Sequence, residues 1–115
     1  RIQRFTGCVV PGGAVRVHEH LGGDATRVVM HAKGVIPKPA IDAYVASCGF
    51  DRAALVEGFD HHGMLPTEPL PWWTPLDRQL GRGARIEIDG DVRELVAFER
   101  DTDFAVFVRA EGAAR

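Results

Sequence analysis

A segment rich in proline and tryptophan constrains the fold of this chain most strongly. Residues 65–75 hold four of the seven prolines and both tryptophans, Trp72 and Trp73. Because proline fixes φ and lacks a backbone N–H, this segment can neither continue a helix nor lie inside a sheet. We therefore predict an extended, proline-rich strap over residues 58–75. Neighbouring side chains of extended backbone point to opposite sides, so one indole should be buried and the other exposed.

Composition and charge exclude two classes of function, nucleic-acid binding and membrane spanning. The chain has 115 residues, of which 45% are hydrophobic and 26% charged, and this is typical of one globular domain covering residues 1–115. A net charge of -2, with acidic and basic residues interspersed, does not suit nucleic-acid binding. No apolar run approaches the roughly 20 residues of a membrane span. We expect neither a nucleic-acid partner nor a transmembrane segment.

The N-terminal third predicts a β-hairpin. Apolar and polar side chains alternate along residues 15–21, which is the period of a half-buried strand. A second strand is predicted over residues 26–33, and the glycines at 22–23 suit a tight connecting loop. With that loop Val17 lies opposite Val28, and the apolar faces of the two strands coincide. A shift of the pairing register by one residue would place the apolar side chains of one strand beside the polar side chains of the other.

One helix is predicted after this hairpin. Pro39 suits a first helical turn, and Gly49 suits the position after the last turn. Apolar residues follow at the i, i+3, i+4 and i+7 spacing of a buried helical stripe; they are Ile41, Tyr44, Val45 and Cys48. Asp51 is a candidate N-cap for a second short helix over residues 51–57.

The C-terminal third predicts three more strands, over residues 85–88, 92–99 and 104–109. With Asp101 and Thr102 as a tight loop, Phe98 lies opposite Ala105 and both sheet faces are largely apolar. Val96 then lies opposite Phe107. A helix should cover one face, and the strap or a partner the other. The predicted fold is therefore α+β, a single antiparallel sheet of about five strands with one main helix on one face and a proline-rich strap.

Histidines supply the candidate metal ligands. His18 and His20 are two residues apart in a predicted strand, so they project to the same face with Cα atoms about 6.5–7 Å apart. A zinc site would need a further ligand from His31, His61 or His62. The predicted hairpin register places His31 opposite Ala14, away from His20. Alternatively, His18 and His20 are polar residues on a solvated face, and no cofactor is bound.

The sequence contains no recognisable catalytic motif. His61 and His62 lie in a loop flanked by glycines. One of them could act as a general base, or both could be ordinary exposed loop residues. Cys48 belongs to the apolar helical stripe, which favours a structural role over a catalytic one. Cys8 is its only candidate partner. A disulfide between them is expected in an oxidising compartment and two buried thiols in a reducing one, and the sequence leaves both alternatives open.

The order of features resembles small uncharacterised bacterial domains of the exported or lipoprotein type. The matching stretches are Cys8-Val9-Val10-Pro11, residues 27–49 and Pro71-Trp72-Trp73-Thr74-Pro75. The resemblance implies an α+β fold, a location in the bacterial envelope or outside the cell, and the Cys8–Cys48 disulfide. It implies no activity.

These observations favour a small non-enzymatic domain that recognises a protein surface. Trp72 or Trp73 would be the binding anchor, with His61 and His62 contributing to the polar rim. An inhibitor or immunity-like role fits the size and acidity by analogy. The alternative is a metal-binding or metal-dependent hydrolytic domain that uses His18 and His20. A small-molecule pocket between sheet and strap and a homodimer formed by strand addition are further alternatives.

Overall fold

The computed structural model describes residues 8–60, 62–66, 69–74, 81–88 and 90–113. These residues form one antiparallel sheet of six strands in the order β1-β2-β6-β5-β4-β3. The strands are β1 (Val15–Gly23), β2 (Arg27–Pro37), β3 (Val56–Glu57), β4 (Arg82–Ile88), β5 (Asp91–Glu99) and β6 (Asp103–Ala113). Among the described residues the one α-helix is α1 (Ile41–Ser47), and 3-10 turns span Lys38–Ala40, Arg52–Ala54 and His62–Met64. The α+β class and the single antiparallel sheet are confirmed, with six strands rather than five and a helix of only two turns.

The C-terminal hairpin has the predicted register. Phe98 lies opposite Ala105, and Val96 lies opposite Phe107. The backbone N–H of Arg100 donates to the carbonyl of Asp103 at 2.8 Å, so the predicted tight loop closes the hairpin. Both faces of β5 and β6 are buried, as the apolar pattern requires of strands with cover on both sides.

The N-terminal hairpin has a different register from the predicted one. His18 lies opposite Lys33, and His20 lies opposite His31. The loop begins at Asp24, because its carboxylate accepts hydrogen bonds from the backbone N–H groups of Thr26 at 2.8 Å and Arg27 at 2.9 Å. His18 and His20 are two residues apart in the regular part of β1, so they share one face of the sheet in either register.

A bulge interrupts β1 between Val15 and His18. Arg16 lies in this bulge with φ of 51°, a conformation that residues other than glycine seldom adopt. The predicted half-buried face of this strand is wrong, because Val15, Val17 and Leu21 are exposed at 55%, 44% and 38% of their surface. The bulge also breaks the simple alternation predicted for residues 15–21.

The helix packs on the sheet as predicted. Every member of the apolar stripe is buried, and Val45 and Cys48 have no exposed surface at all. The backbone at Gly49 has φ of 95°, the left-handed conformation that ends many helices. This stripe packs with residues of three strands, and they are Ala32, Ile36, Leu95, Ala97, Phe104, Val106 and Val108. We call this side of the sheet the helix face.

The predicted helix over residues 51–57 is only one 3-10 turn. The Asp51 carboxylate accepts from the backbone N–H of Ala53 at 3.0 Å, so the predicted cap is present. The turn ends at Ala54 because Leu55 leaves it to enter the core, and β3 then pairs with β4.

A disulfide joins Cys8 to Cys48 with an S–S distance of 2.04 Å. Both cysteines are buried in the helix-face core, which confirms the pairing that the resemblance implies. Beside it, the backbone N–H of Val9 donates to the Ser47 hydroxyl at 2.7 Å. The segment before β1 is therefore attached to the C-terminal end of α1.

Part of the strap covers the other side of the sheet, which we call the strap face. Its apolar cluster comprises Met64, Trp73, Val96, Phe98, Ala105 and Phe107. None of the helices among the described residues is long and apolar enough to cross a membrane.

Candidate functional site

The two tryptophans lie on a turn rather than in extended backbone. The backbone N–H of Trp73 donates to the carbonyl of Leu70 at 2.9 Å, so Pro71 and Trp72 form the corners of a β-turn. Proline suits the first corner because its ring sets φ near the value that the turn needs. The prediction of an extended strap is therefore wrong here, and both indoles contact the strap face.

Trp73 is the core anchor of the pair. Its side chain is only 7% exposed. The indole meets the Phe107 ring edge-to-face at 5.2 Å between centroids, and the His31 ring at 4.8 Å. Its Nε1–H is buried and has no hydrogen-bond partner among the described residues. Burial of Trp73 fastens the turn to β2 and β6.

Trp72 is the outer member of the pair. Its indole lies 6.1 Å from that of Trp73 and stacks on the exposed His18 ring, with centroids 5.4 Å apart and planes only 11° from parallel. We call Trp72 and His18 the stacked pair. An aromatic surface held from below by a buried indole and from the side by a histidine loses little side-chain freedom when a partner binds.

A row of polar side chains lies beneath the strap. His20, His31, Arg109 and Glu94 occupy mutually opposite positions across β1, β2, β6 and β5. Arg109 pairs with the buried Glu94 at 3.2 Å and with Glu111 at 2.6 Å. The hydrogen bond from Arg109 lowers the pKa of Glu111. The charged side chains of this row are therefore paired within the fold.

His31 attaches the strap to the sheet. Its Nε2–H donates to the Met64 carbonyl at 3.0 Å, since a carbonyl oxygen can only accept. Burial lowers the pKa of His31 to about 4, and the positive charge of Arg109 acts in the same direction. At neutral pH His31 is therefore uncharged and structural.

Lys33 is the functional candidate that sequence reasoning missed. The residue is half-buried, and its ammonium lies 3.4 Å from the Thr74 hydroxyl and 5.2 Å from the centroid of the Phe107 ring. Burial lowers the pKa of Lys33, and the charges of Arg16 and Arg100 lower it further. A lysine in the middle of a strand that is otherwise mostly buried was the signal that could have identified it.

The candidate metal ligands are only partly brought together. His20 lies opposite His31, so the predicted placement of His31 beside Ala14 is wrong. His31 already uses Nε2 to hold the Met64 carbonyl. Within the described ranges no group of three or more histidine, cysteine or acidic side chains has the arrangement of a metal site. His61 lies outside the described residues, and His62 is described only as backbone at the start of a 3-10 turn.

A cleft of about 250 Å³ opens on the helix face. Its apolar lining consists of Ile41, Val45, Leu55, Ala97 and Phe104. The charged side chains at its rim are already in ion pairs, and these are Arg82 with Glu57, Arg52 with Asp42, and Glu99 with Lys38. The rim therefore leaves no unpaired charge for a polar ligand, whereas the strap face presents both an aromatic surface and unpaired cations.

Comparison with known proteins adds no assignment to this geometry. No protein-family model, no curated protein and no solved structure matches the chain.

Proposed function

We propose that this protein is a small non-enzymatic domain that binds the surface of another protein through the stacked pair on its strap face. The observation that carries the proposal is the position of Trp72, which is half-buried and held between the buried Trp73 and the exposed His18. Tryptophan is the residue most enriched at the energetic centres of protein interfaces, where it fills a pocket of the partner.

The surroundings of the stacked pair support a macromolecular partner. β1 lies at the edge of the sheet and carries His18 of the stacked pair. An edge strand and an adjoining aromatic surface together offer a partner both backbone hydrogen bonds and apolar contact. This arrangement suits an extended or convex protein surface better than a small enclosed ligand.

The disulfide supports a location for this activity. A Cys8–Cys48 bond persists in oxidising compartments, so we propose that the protein acts in the bacterial envelope or outside the cell. An inhibitor or immunity-like role, in which the stacked pair covers a functional site of the partner, agrees with that location.

Affinity capture tests the proposal. Immobilised wild type and Trp72→Ala are exposed to an extract of the source cells, with Val56→Ala as the matched control because Val56 is 60% exposed at the other edge of the sheet. We expect one protein that wild type and the control retain and that Trp72→Ala loses. With that protein purified, calorimetry should show about 2 kcal/mol weaker binding for Trp72→Ala. Equal affinity of the three variants would refute the proposal.

The alternative proposal is a metal site on the same face. It is favoured by one observation, the placement of His20 directly opposite His31 with His18 on the same side of β1. Zinc would then bind with nitrogen distances of about 2.0–2.1 Å and would raise the melting temperature. His18→Ala and His20→Ala should each abolish zinc retention, while Glu19→Gln keeps it. One equivalent of metal in protein purified without a histidine tag would favour this alternative, and its absence would argue against it.

A further inference from the structure

We infer that the partner segment which contacts the stacked pair is acidic, and that its carboxylates pair with Lys33 and Arg16. The inference rests on the proposed function, because it gives the chemistry of the partner that binds beside Trp72. It starts from two cations that have no ion pair among the residues that the structure describes.

Lys33 is the first of these cations. Its ammonium group has three donors, and its two contacts are the Thr74 hydroxyl at 3.4 Å and the face of the Phe107 ring at 5.2 Å. Neither is a carboxylate, although Lys33 as a residue is half-buried. A partly desolvated charge without a counterion is unfavourable, so a carboxylate supplied by a partner gains more here than at an open surface.

Arg16 is the second cation. It lies in the bulge of β1, two residues before His18, and its side chain is exposed. Its charge is close enough to Lys33 to lower the lysine pKa, and Arg100 acts on Lys33 in the same way. Arg100 is compensated by Asp103, at 3.0 Å, whereas neither Arg16 nor Lys33 has an ion pair in the part of the chain that the structure describes.

The backbone at Arg16 also indicates a specific surface. A non-glycine residue with φ of 51° is uncommon, and bulges often redirect a side chain near a functional site. Here the bulge precedes the histidine that stacks on Trp72, so the same distortion positions both the aromatic surface and a cation.

Charge selects an acidic protein segment over a nucleic acid. Nucleic-acid affinity usually comes from about 6–10 phosphate contacts, while this surface supplies two unpaired cations. Two cations beside an aromatic pair match a short segment with two carboxylates and an apolar side chain.

A fluorescein-labelled hexaglutamate peptide tests the inference by fluorescence anisotropy at low ionic strength. We expect saturable binding that weakens with added salt, and about a fivefold to tenfold increase in Kd for Lys33→Gln and for Arg16→Gln. Glutamine at position 33 retains a donor for Thr74, so the fold should persist, and unchanged melting temperatures check this. Arg85→Gln is the matched control, because Arg85 is an exposed cation of β4 that pairs with Glu87, and it should change Kd less than twofold.

Several results would overturn the inference. They are an absence of saturable binding up to about 1 mM peptide, equal Kd values for wild type and both variants, and tighter binding of a hexathymidylate oligonucleotide than of hexaglutamate. If Trp72→Ala loses the captured partner while Lys33→Gln and Arg16→Gln keep it at full affinity, the acidic segment is refuted and the proposed function stands. If hexaglutamate binding depends on both cations but no captured protein depends on Trp72, the proposed function fails by itself.

Discussion

The two faces of the sheet differ in what covers them and in which side chains they bury. The helix face is closed by α1 and by the Cys8–Cys48 disulfide, and its cluster is composed of apolar side chains and one tyrosine. The strap face has an apolar cluster as well, but it also buries His31 and Glu94 and leaves Lys33 without a carboxylate. The helix face therefore resembles an ordinary core, while the strap face includes polar groups that apolar packing alone does not require.

Under the proposed function, the helix face provides stability and the outer part of the strap face provides recognition. Buried polar groups contribute less to stability than apolar packing does, and departures from an apolar core are concentrated at functional sites. Damage to the helix face should unfold the protein, whereas changes at the outer part of the strap face should alter binding with little loss of stability.

The largest expected effect comes from a charge in the helix-face core. Val45 has no exposed surface, so Val45→Asp would bury a carboxylate without a partner and lower the free energy of unfolding by about 4 kcal/mol or more. Ala43→Asp adds the same group to the exposed side of α1 and should change it by less than about 1 kcal/mol. Urea denaturation measures both, and equal stability of the two variants would contradict the proposed core.

Loss of the disulfide should have the next largest effect. Cys8 and Cys48 are 40 residues apart, and opening such a loop costs about 3–4 kcal/mol by the chain-entropy estimate. The double variant Cys8→Ala, Cys48→Ala should unfold at a correspondingly lower urea concentration. Mass spectrometry without reductant should show two hydrogens fewer than after reduction, and free thiols in the oxidatively refolded protein would contradict the bond.

The tryptophans should separate the inner and outer parts of the strap face. Trp73→Ala removes a buried indole and should cost about 3 kcal/mol of stability, since no hydrogen bond of its Nε1–H among the described residues is lost with it. Trp72→Ala should cost about 1 kcal/mol, because its ring is half-buried. Calorimetric unfolding of both variants measures the difference, and a reversed order would place the anchor at Trp72 instead.

The smallest effect is a pH dependence confined to the strap face. The pKa of His31 is about 4 in the folded protein against an ordinary 6.5, so the unfolded chain binds more protons between these values. Stability should therefore be level above pH 7 and should fall by about 1–2 kcal/mol from pH 7 to pH 5 through this group. His31→Gln should reduce that slope. Identical slopes for wild type and His31→Gln would show that His31 does not titrate as inferred.

Local sequence patterns were sufficient to predict the elements that form through contacts between residues close together in the chain. The stripe that begins at Ile41 and ends at Cys48 predicts the buried side of α1, and Gly49 predicts its end. The register of β5 and β6 follows from one tight loop, because strands joined by two residues have a single pairing in which their apolar faces coincide.

The sequence predicted less of the candidate site than of the fold. The sequence identified Trp72, Trp73 and His18 as residues of interest, but not that Trp72 and His18 stack. Their contact depends on the β-turn at Leu70 and on the position of β1. Lys33 was missed because its significance depends on what surrounds its ammonium group. Residues far apart in the chain supply those surroundings.

By itself, the sequence determined the sheet-and-helix composition, the buried helical stripe and the C-terminal hairpin, since each depends on periodicity and on short turns. The sequence left the N-terminal register open, because Asp24 competes with two adjacent glycines for the loop, and the folded hairpin placed His20 opposite His31. Tertiary structure also decided which indole is buried. Both rings have similar intrinsic tendencies to burial, and only packing against Phe107 and His31 distinguishes Trp73 from Trp72.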